Sequence, residues 1–70
     1  MTKPGQIWRN THGAYVVVDG VAPIEADGQR GTALWVDVCD EYGAVTGDRI
    51  PMEPDGFPGP LWTLAGTVER

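Results

Sequence analysis

The sequence predicts an all-β protein: one small antiparallel barrel of five or six short strands, with almost no helix. Three observations carry this expectation. Ten glycines and six prolines punctuate a chain of 70 residues, and the longest stretch free of both, 32–42, leaves little room for a helix. That stretch opens with Thr32-Ala33-Leu34-Trp35-Val36-Asp37-Val38-Cys39, where β-branched and aromatic residues recur with period-two character. Five or six strands of such length are too few for two full sheets. One sheet curled into a partly open, strongly bent barrel gains a core and hides its edges.

Taken in order, Gln6-Ile7-Trp8-Arg9 and Ala14-Tyr15-Val16-Val17-Val18 flank the tetrad Asn10-Thr11-His12-Gly13. Asparagine first and glycine last suit a type I turn, so 6–18 reads as a hairpin. Asp19-Gly20 and Asp27-Gly28 are both two-residue hairpin signals. They flank a short edge strand over 21–25, with Pro23 on its unpaired side, or else 20–31 is one long excursion; both readings stay open here. The strand over 32–40 is the best defined of the chain. Asp40-Glu41-Tyr42-Gly43 then makes a tight turn into a returning strand, Ala44-Val45-Thr46 and Arg49-Ile50-Pro51-Met52, broken by a bulge at Gly47-Asp48. Three prolines in 53–60 forbid regular hydrogen bonding and favour an ordered, extended loop. Leu61-Trp62-Thr63-Leu64-Ala65-Gly66-Thr67-Val68 closes the fold, with Gly66 as a bend. Residues 1–70 read as a single domain without internal repeats.

Composition narrows the function. Ten acidic residues against five basic ones give a formal charge of −5. That balance opposes direct binding to nucleic acid or to an anionic membrane, since both need a positive field. A domain this small buries only about 60% of its unfolded surface. Cys39 is the one cysteine, so neither an internal disulfide nor a thiolate-rich zinc site can reinforce the core. Close packing or homo-oligomerisation is expected instead. The opening Met1-Thr2-Lys3-Pro4-Gly5 has no apolar segment behind a basic start, so neither leader nor membrane anchor is expected, and the cytoplasm is the expected location.

The segment Lys3-Pro4-Gly5-Gln6-Ile7-Trp8-Arg9, a polar turn and the strand from Ala14 to Val18 resemble the opening of small Src-homology-3-like barrel proteins of high-GC bacteria and their phages. The resemblance covers about the first twenty residues by motif and the rest by strand order alone. It implies a binding or accessory protein and assigns no functional residue.

Alternation sorts the two best strands into faces. Val16, Val18, Leu34, Val36 and Val38 form the inner face. Tyr15, Val17 and Asp19 lie on the other, with Ala33, Trp35, Asp37 and Cys39, and Asp37 marks that face as the wet one. Tyr15 and Trp35 rimmed by Asp19 and Asp37 make a binding surface, since ring faces supply area and cation attraction while the acids favour a basic partner. The competing reading packs Trp35 under the proline-rich loop. Phe57, held between Gly56 and Pro58, is either a pre-ordered anchor for a partner or a lid over one end of the barrel. Trp8 and Trp62 are assigned to the core.

Enzyme signatures are missing. There is no serine, and the single cysteine and histidine, Cys39 and His12, sit in a strand and a turn. A calcium loop begun at Asp37 or Asp40 would place Tyr42 or Val45 where glycine is required. No glycine-rich phosphate loop precedes a helix, so no cofactor, metal or catalytic residue is assigned. The expectation is a non-enzymatic protein-interaction module, such as a phage-type accessory protein binding a host factor with a basic surface. The alternatives are an acidic DNA mimic that inhibits a nucleic-acid-binding protein, a small-ligand or sugar site built on tryptophans, and a structural component of a larger assembly.

Overall fold

The computed structural model describes residues 2–69. Five strands, β1 (Gln6–Asn10), β2 (Tyr15–Ala26), β3 (Gln29–Cys39), β4 (Val45–Met52) and β5 (Trp62–Thr67), form one antiparallel sheet in the order β4-β3-β2-β1-β5. A single 3-10 turn, Gly59–Leu61, leads into β5. The all-β antiparallel expectation holds, and the sheet stays open: among the described residues no ladder joins β4 to β5. The reason lies in β4. Pro51 removes one amide donor, and extra residues around Gly47-Asp48 offset the register between Asp37↔Arg49 and Cys39↔Val45, so this edge is a poor template for another strand.

The open question over 20–31 resolves as a long ribbon. Asp19-Gly20 makes a bulge and not a turn: Val18 pairs with Val36 and Gly20 with Trp35, leaving Asp19 as the extra residue. Gly20 adopts φ 143°, a region that L side chains rarely enter. Asp27-Gly28 is the true hairpin turn, with φ of 53° and 74°, the two positive values a primed turn requires. β2 therefore runs past the end of β1, and Pro23, opposite Thr32, lies where β2 has no neighbour on that side.

The two short turns are built alike. Asn10 Oδ1 accepts hydrogen bonds from the amides of His12 and Ala14 at 2.9 Å each, and Asp40 Oδ1 accepts them from Tyr42 at 2.9 Å and Ala44 at 3.0 Å. In each, one Asx side chain replaces the ladder bonds that the turning backbone gives up.

The main core gathers Val16, Val18, Leu34 and Val36, as alternation predicts, with Phe57 closing it and Trp8, Ile50, Met52 and Trp62 around the margin. Val38 is only half-buried and stands outside that cluster. The opposite face is not wet. Val17, Ala33, Asp37 and Cys39 are all buried there: Ile7 and Val68 pack with Val17 and Cys39 into a second small core, and Arg49 lies against Asp37. Backbone bonds from Gly5 N–H to Val18 C=O at 2.9 Å and from Val68 N–H to Gly5 C=O at 2.7 Å draw both ends of the chain together and seat that cover.

Phe57 is the lid. Its ring meets Trp8 edge-to-face and Trp62 at a tilt, both at 5.5 Å between centroids. The loop turns inward because Glu53 C=O accepts bonds from the amides of Gly56 and Phe57 at 3.2 and 3.1 Å. Phe57 is 8% exposed, which corrects its reading as a free anchor: a core this short of large side chains gains more from burying the ring.

Candidate functional site

The site grows from the Asp19 bulge. The extra residue in β2 displaces the strand beside β3, and Asp37 of β3 faces Arg49 of β4 in register. Arg49 Nε donates to Asp37 Oδ1 at 3.1 Å and lies 3.0 Å from Asp19 Oδ2. One guanidinium on β4 thus ties together carboxylates from β2 and β3. Both carboxylates are largely shielded from solvent, while most of the Arg49 side chain remains exposed. The hydrogen bond to Asp37 and the charges of Asp19 and Asp37 raise the Arg49 pKa above the ordinary guanidinium value.

Asp19 and Arg49 of this triad also line an open groove of about 470 Å³, together with Trp35 and the 20–23 segment of β2. Trp35 is half-buried between its register partners Gly20 and Pro51. Gly20, its partner in the ladder, carries no side chain and lines the groove with backbone alone. Val21, 63% exposed, adds an apolar wall where the ribbon leaves the sheet. The groove therefore offers an aromatic floor, an apolar wall and one exposed cation held in place by two acids.

Of the residues singled out in the sequence, Asp19, Asp37 and Trp35 come together. Asp37 is buried and ion-paired, not displayed on a wet surface, which corrects its placement: the register sets a guanidinium against it, and the paired carboxylate tolerates burial. Tyr15 lies four ladder rungs from Trp35, about 13 Å along the strand, and packs beside Ile7, Val17 and Cys39. Phe57 lies in the main core; with Trp8 and Pro58 it lines a separate depression of about 390 Å³. Sequence reasoning missed Arg49 and Gly20. Arg49 was legible in principle as the base on the strand returning past Asp37, but the bulge at Gly47-Asp48 hides its register. Gly20 was read as a turn residue.

Cys39 is buried and His12 is exposed. Among the described residues, no group of three or more His, Cys, Asp or Glu side chains is placed to hold a metal ion. No helix among them is long and apolar enough to cross a membrane. Compared with protein-family models, curated proteins and solved structures, the chain finds no match.

Proposed function

We propose that the protein is a non-enzymatic interaction module that receives a segment of a protein partner in the Trp35 groove. The observation that carries this reading is the half-buried indole lining an open groove, beside an ion triad that fixes the groove wall. A held aromatic floor loses little entropy on binding, and tryptophan in a partly desolvated pocket is the usual anchor of an interface. The net charge of −5 steers a partner with a basic surface toward the molecule from a distance, while the groove supplies the short-range contact. Arg49 already engages Asp19 and Asp37, which favours an aromatic anchor over mimicry of nucleic acid by spaced carboxylates. The likeness of the opening segment to small Src-homology-3-like barrels belongs to the same proposal and suits an accessory, partner-binding role.

Affinity capture from a host lysate, with wild type and Trp35→Ala in parallel, tests it. A partner retained by wild type and lost with Trp35→Ala is the expected result, and its binding should fall only modestly as salt rises. Identical capture by both proteins, with Trp35→Ala shown to be folded, overturns the reading. A complex that dissolves steeply with salt points to charge mimicry instead.

A further inference from the structure

We infer that the free edge of β5 is a self-association surface, on which a second copy of this chain adds its own β5 antiparallel to the first. The sheet order leaves β4 and β5 as its edges. Natural edge strands are blunted by charges, prolines or bulges, because an unpaired row of N–H and C=O groups invites another strand. β4 carries all three devices in Asp48, Arg49, Pro51 and the offset register. Trp62-Thr63-Leu64-Ala65-Gly66-Thr67 carries neither a charge nor a proline; it has one bulge, with Ala65 the extra residue between the Ile7↔Gly66 and Trp8↔Leu64 pairs, and Trp62 to Leu64 run in regular register beside it.

The side chains there are also left uncovered. Leu64 is 49% exposed and Leu61, just before the strand, 60%. They border a groove of about 410 Å³ along the same edge, together with Arg9 and Thr63.

Charge selects the occupant. Two molecules of charge −5 repel each other over most approaches. β1 and β5 together hold a single charged residue, Arg9, and it is positive. The acidic residues lie elsewhere: in β2, β3, β4, their turns, the 53–60 loop and at Glu69. A two-fold pairing of β5 with β5 is therefore the approach on which a second copy meets least repulsion. It is self-complementary, setting uncharged residues against uncharged residues and leucine near leucine. Six residues of strand make a small interface, so the dimer is a weak one that forms as concentration rises.

Sedimentation of the wild-type chain from low micromolar to millimolar concentration should show monomer giving way to dimer. Amide exchange over the same range should show protection rising in β5 and unchanged in β4. Leu64→Lys should remain monomeric throughout, whereas Val21→Lys, which alters an apolar residue of the Trp35 groove, should dimerise like wild type. Circular dichroism establishes that each variant is folded, and the wild-type exchange experiment stands even if Leu64→Lys is not. A monomer at every concentration, protection in β4 and not β5, or a folded Leu64→Lys that dimerises normally overturns the inference. None of these outcomes depends on whether a partner occupies the Trp35 groove.

Discussion

Arg49 and Asp37 face each other across the β3–β4 ladder, and Arg49 Nε donates to Asp37 Oδ1 at 3.1 Å. Asp37 is 5% exposed, so removing the guanidinium leaves a shielded carboxylate without its compensating charge, the costly way to break a buried pair. Arg49→Met is expected to lower the urea midpoint clearly. Asp19→Asn should lower it less, because Asp19 is the more exposed of the two acids and Asp37 keeps its cation. Equilibrium urea denaturation ranks the two variants, and a larger loss from Asp19→Asn would contradict the geometry. The raised Arg49 pKa adds a sign. Its contribution is whole at every pH below the strongly basic unfolded value and is lost only as pH climbs through the still higher folded value, so this guanidinium gives stability no slope near neutrality.

Phe57 joins three aromatic rings over the end of the main core, and its removal leaves a cavity between Trp8 and Trp62. A buried Phe→Ala change costs about 3–5 kcal/mol. The core of a domain this size supplies rarely more than about 3–5 kcal/mol in total. Phe57→Ala is therefore expected to be largely unfolded at room temperature, while Phe57→Leu folds with a lower melting temperature. Far-UV circular dichroism and tryptophan emission report both. A Phe57→Ala protein that melts like wild type would show that the 53–60 loop contributes nothing to the core.

Asn10 and Asp40 do the same work at neighbouring turns, each holding two backbone amides with one oxygen. Replacing either by alanine should cost about 1 kcal/mol, in the range measured for side chains that cap backbone amides. Asn10→Asp and Asp40→Asn keep an acceptor oxygen and should cost little. Thermal melts of the four variants decide the matter. Equal losses for the alanine and the isosteric changes would show that the side-chain oxygens do not hold these turns.

These turns also show where the fold was legible. An Asx residue followed three positions later by glycine has a local meaning, and Asp27-Gly28 likewise, so three hairpin turns and the inner face of Val16, Val18, Leu34 and Val36 follow from short-range rules. Asp19-Gly20 obeys the same local rule and is nevertheless a bulge, because residues 21–26 find partners in 29–34 and the ladder gains more by continuing than by turning. The faces of Val17, Asp37 and Cys39 were misread for a related reason. Alternation assigns a side but not its cover, and the cover comes from Ile7 and Val68, far apart in sequence, over Val17 and Cys39, and from Arg49 over Asp37. The candidate site was half visible. Asp19, Asp37 and Trp35 converge as their shared face requires, but Tyr15 is remote along the strand, and the cation that organises the acids sits behind a bulge whose length no local pattern states.

Gly13 and Gly43 occupy corresponding places in those two short turns and separate backbone strain from steric crowding. Both have positive φ, 82° and 87°. A Cβ on Gly13 would meet nothing within 4 Å, whereas one on Gly43 would lie 2.6 Å from Val68 Cγ1 and 3.0 Å from Ile7 Cδ1. Gly13→Ala should therefore cost only the left-handed backbone penalty, about 1–2 kcal/mol. Gly43→Ala carries that penalty and also pushes against the two residues that cover Val17 and Cys39, adding about 1–3 kcal/mol of overpacking. Cys39 provides a direct readout, since its buried thiol should react slowly with a thiol reagent in the wild type and in Gly13→Ala. Faster labelling in Gly43→Ala under native conditions is the expected mark of a loosened second core. Equal melting temperatures and equal labelling rates in the two variants would mean that Val68 and Ile7 yield without cost, and that the second core is not the packed unit its burial indicates.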